Sequence, residues 1–324
     1  MNKIIRIGTR ESELAVWQAK QVQQLLQQYH FSSELVYIKS EGDIDLQTPL
    51  YEMGVQGIFT KSLDIALLQN RIDIAVHSMK DVPTLLAKGI VQAAVLQRAN
   101  YKDLLVFKAA STGNSQSAML TELLKSGQPL PMPHTSFTVA TSSTRRKAQW
   151  LNRYPNHTIE NLRGNVNTRL RKVQENNWNG AIFAAAGLER INQRPEGSIE
   201  LDWMLPAPAQ GAIMVVCREQ DDFCYAACQN FNDTETALCT KIERDFLRKL
   251  LGGCSTPISA LAIIENGQVI FKGNILSVDG KEKIEVNERA VIENAFELGV
   301  TAAVNILQKG GQSIIEGIHA AKNL

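Results

Sequence analysis

RIDIAVHSMKDVP, residues 71–83, decides the fold class. Ile72, Ile74 and Val76 recur at every second position, the period of a strand. The run is preceded by GIFTKSLDIALLQN, 57–70, which reads as a helix. It ends in a polar Lys-Asp pair and a proline, which marks a loop. Toward the N-terminus, KIIRIG (3–8) and ELVYIKS (34–40) read as strands around the helical segment ELAVWQAKQVQQLLQQY, 13–29. Leu14, Trp17, Val22, Leu25 and Leu26 fit one broad face of that helix. Alternation of strands and helices predicts an α/β sheet with crossover helices. Binding groups then gather beyond the carboxyl ends of the strands, where Lys80 and Asp81 fall.

Toward the C-terminus the same grammar repeats. A polar stretch at 109–118 and the loop GQPLPMPH, 127–134, precede a second α/β unit. FTVATS (137–142) reads as a strand, TRRKAQWLNRY (144–154) as a helix and HTIENLRG (157–164) as a strand and loop. NTRLRKVQE (167–175) is another helix and AIFAAAG (181–187) another strand. A late strand at 212–217 has two candidate homes, the second sheet or a return to the first. In the last third, Leu238, Ile242, Phe246 and Leu250 recur at i+4 along a helix. Asn232 or Thr234 can cap its start, Asn232 and Glu235 have capping-box spacing, and Gly252-Gly253 can end it. Two strand-like runs then flank Asn266-Gly267, a hairpin turn signal. A final helical pattern covers 295–311, so this part reads as a small α+β domain.

The chain has 324 residues, 44% of them apolar, enough for two or three domains. Net charge is +1, which gives no global argument for nucleic acid or membrane. No long apolar segment predicts a signal peptide or a membrane span, so a cytoplasmic protein is expected. Five cysteines, at 217, 224, 228, 239 and 254, do not suit a disulfide scaffold. Cys224 and Cys228 have a C-x₃-C spacing, but no second pair completes a structural zinc site, and both read as small packed side chains. Phosphate-loop, nucleophile-elbow and H-E-x-x-H patterns are absent from the sequence.

Charge is concentrated in the middle. Residues 145–172 hold Arg145, Arg146, Lys147, Arg153, Arg163, Arg169, Arg171 and Lys172, opposed by Glu160 alone. A solvated helix face accounts for Lys147, Arg171 and Lys172. Arg145 and Arg146 instead follow Thr-Ser-Ser at a strand-to-helix junction, where backbone N–H groups favour anions. Arg163 stands beside Gly164 in a turn, and Arg169 near the start of the next helix. Guanidinium forks suit carboxylates and phosphates. A polyanionic ligand follows, and a small multicarboxylate fits as well as any polymer. Asp81 has two readings: a loop ion pair with Lys80, or a lone acid in a positive channel that stabilises a cationic intermediate or moves a proton. Cys254, in LGGCSTPIS (251–259), is a nucleophile, a ligand, a disulfide partner or packing.

Together these segments resemble porphobilinogen deaminases, also called hydroxymethylbilane synthases, over nearly the whole chain. The resemblance rests on IRIGTRESELAVWQA, DIAVHSMKDVP, TSSTRRKAQ, NLRGNVNTRL, APAQGA and ERDFLRKLLGGCSTPIS. It implies two periplasmic-binding-protein-like α/β domains plus a smaller C-terminal α+β domain. Expected boundaries are 1–104 with 203–222 for the first, 105–202 for the second and 223–324 for the third. It implies a transferase that joins four porphobilinogen molecules head to tail, releases ammonia and yields hydroxymethylbilane for haem biosynthesis. Cys254 would carry a dipyrromethane cofactor through a thioether, and Asp81 would be the catalytic acid. Arg10, Arg145, Arg146, Arg163 and Arg169 would bind substrate and cofactor carboxylates, with Ser12, Lys80, Ser142 and Ser143 as supporting donors. No metal, nucleic acid or membrane partner is implied. A monomer is expected that passes its product to uroporphyrinogen-III synthase. The sequence departs from the family at Gln56, often lysine, and at Ala209, commonly glycine. Two other functions compete: a two-lobed multicarboxylate-binding protein, which leaves Cys254 incidental, and a nucleic-acid-binding protein, which needs a continuous positive surface.

Overall fold

The computed structural model describes residues 3–39, 60–107, 137–250 and 256–322. The first α/β unit runs through β1 (Ile5–Thr9), α1 (Glu13–Gln28), β2 (Ser33–Tyr37), α2 (Lys61–Leu68), β3 (Ile74–Ser78) and β4 (Ile90–Val95). The second holds β5 (Asp103–Phe107), β6 (Thr138–Ala140), α3 (Thr144–Arg153), β7 (Thr158–Glu160), α4 (Val166–Glu175), β8 (Gly180–Ala184), α5 (Ala185–Glu189) and β9 (Ile199–Glu200). Then come β10 (Ile213–Arg218), α6 (Asp222–Gln229) and α7 (Thr234–Lys249). The C-terminal part has β11 (Ile258–Glu265), β12 (Gln268–Leu276), β13 (Lys283–Val291), α8 (Leu298–Ile306) and α9 (Gln312–Lys322).

The first two sheets share one plan. Their orders are β2-β1-β3-β10-β4 and β7-β6-β8-β5-β9. Four strands of each run in one direction, and one strand from a distant part of the chain is inserted antiparallel to both its neighbours: β10 between β3 and β4, β5 between β8 and β9. The inserted strand follows a crossing between sheets in both cases, so two chain passes join the units. Thus the late strand belongs to the first sheet. The central strand β3 buries Ile74, Ala75 and Val76, as expected for a strand covered on both faces. Asp103 and Leu104 sit in a strand of the second sheet, and α6 buries Cys224, Ala227 and Cys228 in the core of the first.

The third sheet is an antiparallel meander, β11-β12-β13. Asn266 and Gly267 turn its first hairpin with φ of 51° and 74°, the paired positive values of a type I′ turn. Ile242, Phe246 and Leu250 of the i+4 row pack with Ala260, Ala262 and Phe271. The start of α7 differs from expectation. Asp233 is the cap, accepting the Thr236 N–H at 2.7 Å. Asn232 is diverted to the Val95 N–H of β4 at 2.9 Å, a tertiary bond that local spacing does not reveal. AIFAAAG likewise splits, because β8 ends at Ala184 and helix α5 begins at once.

Buried polar groups tie the three sheets together. Glu243 on α7 is fully buried and pairs with Arg98 at 2.6 and 3.1 Å. The same carboxylate accepts the N–H groups of Ala209 (2.6 Å) and Ala262 (2.7 Å). One side chain therefore joins both crossings to β11. Gly280, at the tip between β12 and β13, lies against α3: a Cβ there would meet Ala148 O at 2.5 Å. Its carbonyl accepts from Asn152 Nδ2 at 2.7 Å.

Candidate active site

Loops after β1, β3, β6 and β7 line one cleft of about 350 Å³. Its walls bring together Arg10, Ser12, Lys80, Asp81, Ser142, Ser143, Arg145, Arg146, Arg163 and Arg169. These are all the expected site residues except Cys254, which lies outside the described residues. Beyond it, Thr256 and Ile258 are part of the cleft wall.

The acid arrives by a short route. β3 ends at Ser78 and a single 3₁₀ turn, Met79–Asp81, follows. The Met79 N–H donates to Ala212 O at 3.0 Å and the Val82 N–H to Met79 O at 3.1 Å. Met79 is buried and anchors the turn, while Asp81 is half-buried at the cleft wall. Gln18 of α1 donates to Ser78 Oγ at 2.8 Å and fixes the end of β3. Lys80 donates to Gln210 Oε1 at 3.4 Å. Burial lowers the Lys80 ammonium to about 8, against the pull of Asp81 and with the push of Arg146.

Arg145 and Arg146 stand at the start of α3, and both are buried. Their first partner is the protein's own carboxylate, Asp103 of β5, which is fully buried. Arg145 Nη2 lies 2.8 Å from Oδ2; Arg146 reaches Oδ1 through Nη2 at 2.8 Å and Nε at 3.1 Å. Gln210 Nε2 adds a bond to Oδ1 at 3.0 Å. Burial by itself would raise the Asp103 carboxyl, but Arg145 and Arg146 outweigh it and hold it at about 2. Arg146 also donates to Ile182 O and Arg145 to Leu205 O. Arg145 Nε is buried without a hydrogen-bond partner. The pair is thus a structural ion cluster with one donor left over, rather than two empty forks.

The other basic groups do not pair with Asp103. Arg169 Nε donates to Gly164 O at 2.7 Å. Burial, then Arg146, lowers its guanidinium to about 10. Arg10 faces His77, whose imidazole is pushed down to about 4 by burial and then by Arg10. Ser143 caps α3 by accepting the Arg146 N–H at 3.4 Å, and Ser142 Oγ accepts the Leu162 N–H at 2.9 Å. Both serines therefore shape their loops, and their hydroxyl hydrogens remain to donate. Arg171 pairs with Glu175 on the surface, while Lys172 Nζ donates to Arg163 O.

Ala209 adopts φ of 61°. The left-handed geometry that glycine favours is retained by an alanine. Gln56 lies outside the described residues. Cys217, Cys224, Cys228 and Cys239 are free and buried, and burial raises each thiol. Among the described residues, no cluster of three or more His, Cys, Asp or Glu side chains is arranged to hold a metal ion.

A dipyrromethane with acidic side chains fits this cleft. Among the described lining residues, Arg10, Lys80, Arg145, Arg146, Arg163 and Arg169 face only two acids, Asp81 and Glu13. The buried, unpartnered Arg145 Nε adds a donor that calls for an acceptor. Three contributors escaped the sequence reading: Asp103, Gln210 and Gln18. Asp103 opens the apolar run DLLVF, and an acid placed there is the one local hint that was available.

Residues 5–226 match the family described as "Porphobilinogen deaminase, dipyromethane cofactor binding domain", and residues 237–308 match "Porphobilinogen deaminase, C-terminal domain". The chain is 36% identical to a porphobilinogen deaminase of Desulforamulus reducens, over 99% of this chain and 100% of that protein. It is 38% identical to one of Syntrophotalea carbinolica, over 97% of this chain and 96% of that protein. Among solved structures it is similar to the Bordetella pertussis BvgS periplasmic VFT2 domain, with 13% identity and a TM-score of 0.39, over 72% of this chain and 90% of that one.

Proposed function

The chain belongs to the porphobilinogen deaminase family, and from that premise we propose which of its residues carry the reaction. The enzyme condenses porphobilinogen head to tail into hydroxymethylbilane with release of ammonia, a transferase step of tetrapyrrole and haem biosynthesis primed by dipyrromethane. Asp81 is the catalytic residue and Cys254 the thioether anchor of the cofactor. Arg10, Arg163 and Arg169, with Arg145 and Arg146 behind them, bind the acetate and propionate groups of substrate and cofactor. Ser12, Lys80, Ser142 and Ser143 support them.

One observation carries this assignment: a half-buried carboxylate, Asp81, in a cleft where six Arg and Lys side chains meet only one other acid, Glu13, among the described lining residues. When bound, the dipyrromethane supplies the pyrrole carbon to which the first substrate is joined. Loss of ammonia from porphobilinogen leaves positive charge on its pyrrole. The Asp81 carboxylate accepts the pyrrole N–H and stabilises that charge as it develops. The guanidiniums act at a different part of the molecule, holding the side-chain carboxylates and so orienting the ring toward Asp81. Lys80, lowered to about 8, is charged at neutral pH and adds a point charge to the same wall.

The proposal includes two periplasmic-binding-protein-like units and a third that carries Cys254. The shared sheet order and the two inserted antiparallel strands support it. The first unit then starts its second crossing after Glu200 and takes in α6; the second begins at Asp103. The buried free thiols suit a reducing, cytoplasmic setting. A monomer that passes hydroxymethylbilane to uroporphyrinogen-III synthase completes the reading.

Intact mass spectrometry of the purified protein tests it. The wild type should carry the mass of two pyrrole units, and C254A should not. D81A should bind cofactor yet lose most ammonia release from porphobilinogen. An unmodified, fully active wild type or an active D81A would overturn the assignment.

A further inference from the structure

We propose that Arg244 is a positioning residue that sets the Asp81 turn from the helix leading into the Cys254 segment. Arg244 lies on α7 and is buried. Its guanidinium reaches across to the first α/β unit. Nη1 donates to Val82 O at 2.9 Å and to Met79 O at 3.4 Å, and Nη2 to Pro83 O at 2.6 Å. These three carbonyls bracket Asp81. Met79 O already accepts the Val82 N–H, but the Val82 and Pro83 carbonyls just past the short 3₁₀ turn have no partner within it, so a donor from elsewhere fixes their direction. A planar guanidinium can serve several at once, which an ammonium on a flexible stem does less well.

Location makes this more than a domain contact. The preceding residue, Glu243, joins Arg98 and the Ala209 N–H of the two crossings. Consecutive residues of α7 therefore grip the crossings and the Asp81 turn. Five residues after Arg244 the helix ends at Lys249, and Cys254 follows in the sequence. A displacement of α7 moves the carbonyls around Asp81 along with it. The turn that carries Asp81 is thus tied to α7 directly through the Arg244 side chain.

The inference rests on Asp81 being catalytic, and the test separates the two claims. R244K and R244Q are made in the full-length, cofactor-loaded enzyme, with loading verified by intact mass. The expected result is a kcat lower by about tenfold or more from a misplaced carboxylate, with the KM for porphobilinogen changed by less than about threefold. Hydrogen exchange at the Val82 amide, which donates to Met79 O, should speed up by about tenfold while the β3 amides stay protected. Wild-type kcat, or wild-type protection of Val82, in R244K would overturn the proposal. D81N serves as the companion. It should lose kcat while Val82 keeps its protection; full activity in D81N would sink the Asp81 reading without touching the exchange result. Should neither Arg244 variant fold, the wild type decides. Val82 and the α7 amides around Arg244 should then open with one common urea dependence, and independent opening would overturn the coupling.

Discussion

Asp103→Asn removes the charge that holds the arginine pair while keeping the volume and an acceptor. In the wild type, Asp103 is 0% exposed, Arg145 4% and Arg146 6%. The substitution leaves two buried guanidiniums facing each other without their counter-charge. Removing one partner of such a cluster costs about 3–5 kcal/mol, a large share of the roughly 5–15 kcal/mol that holds a domain folded. With a urea slope near ~2 kcal/mol/M, the midpoint should fall by about 2 M. Tryptophan fluorescence reads this unit well, because Trp150, Trp178 and Trp203 belong to it and Trp17 is on α1. Added multicarboxylate, porphobilinogen or citrate, should restore more stability to D103N than to wild type, since it returns the missing charge. The pH dependence has a definite sign. The Asp103 pKa is depressed in the folded state, to about 2 from 3.8. Its stabilisation is present above the unfolded value and is lost as pH falls from about 4 through about 2. D103N should lack that acid limb. A midpoint within about 0.5 M of wild type, or equal rescue of both proteins by citrate, would refute the reasoning.

Two further outcomes concern the cleft and the second crossing. Lys80 loses its proton near pH 8, so the KM for porphobilinogen should rise as pH climbs through that value. K80M should raise KM at neutral pH and abolish the rise; an unchanged profile in K80M would assign it to another group. Ala209→Gly relieves about 1–2 kcal/mol of left-handed strain, but frees the unfolded chain by about 0.4–1 kcal/mol and removes a buried methyl worth about 0.8 kcal/mol. Stability should stay within about 1 kcal/mol of wild type by thermal melting; a gain or loss above about 2 kcal/mol would show that one of these contributions is misjudged.

The sequence exposed what local periodicity encodes and missed what only folding brings together. Strand alternation in β3 was readable because Ile72, Ile74 and Val76 alternate with smaller or polar residues, and the i+4 row in α7 because one of its faces is apolar. Asn266-Gly267 was readable because its turn demands positive φ. The cap of α7 was not: Asn232 and Asp233 are equivalent locally, and only the Val95 N–H, 137 residues away, selects between them. Among site residues, the arginines and Asp81 stood out by motif. Asp103 did not, because its partners Arg145 and Arg146 lie more than forty positions downstream.

That hidden carboxylate changes how the cleft should be understood. Unpaired guanidiniums in a buried wall would be costly before substrate arrived, and would hold a polycarboxylate product tightly afterwards. Asp103 reduces both effects. It compensates Arg145 and Arg146 in advance, so an incoming carboxylate exchanges with or adds to an existing pair instead of meeting bare charge. Under the proposed assignment, binding would then be shared with Arg10, Arg163, Arg169 and Lys80, which line the same cleft. If Asp81 is the reaction point, as proposed, a chain that lengthens there would need such a surface: attractive over many groups, and at no single point so strong that movement stops.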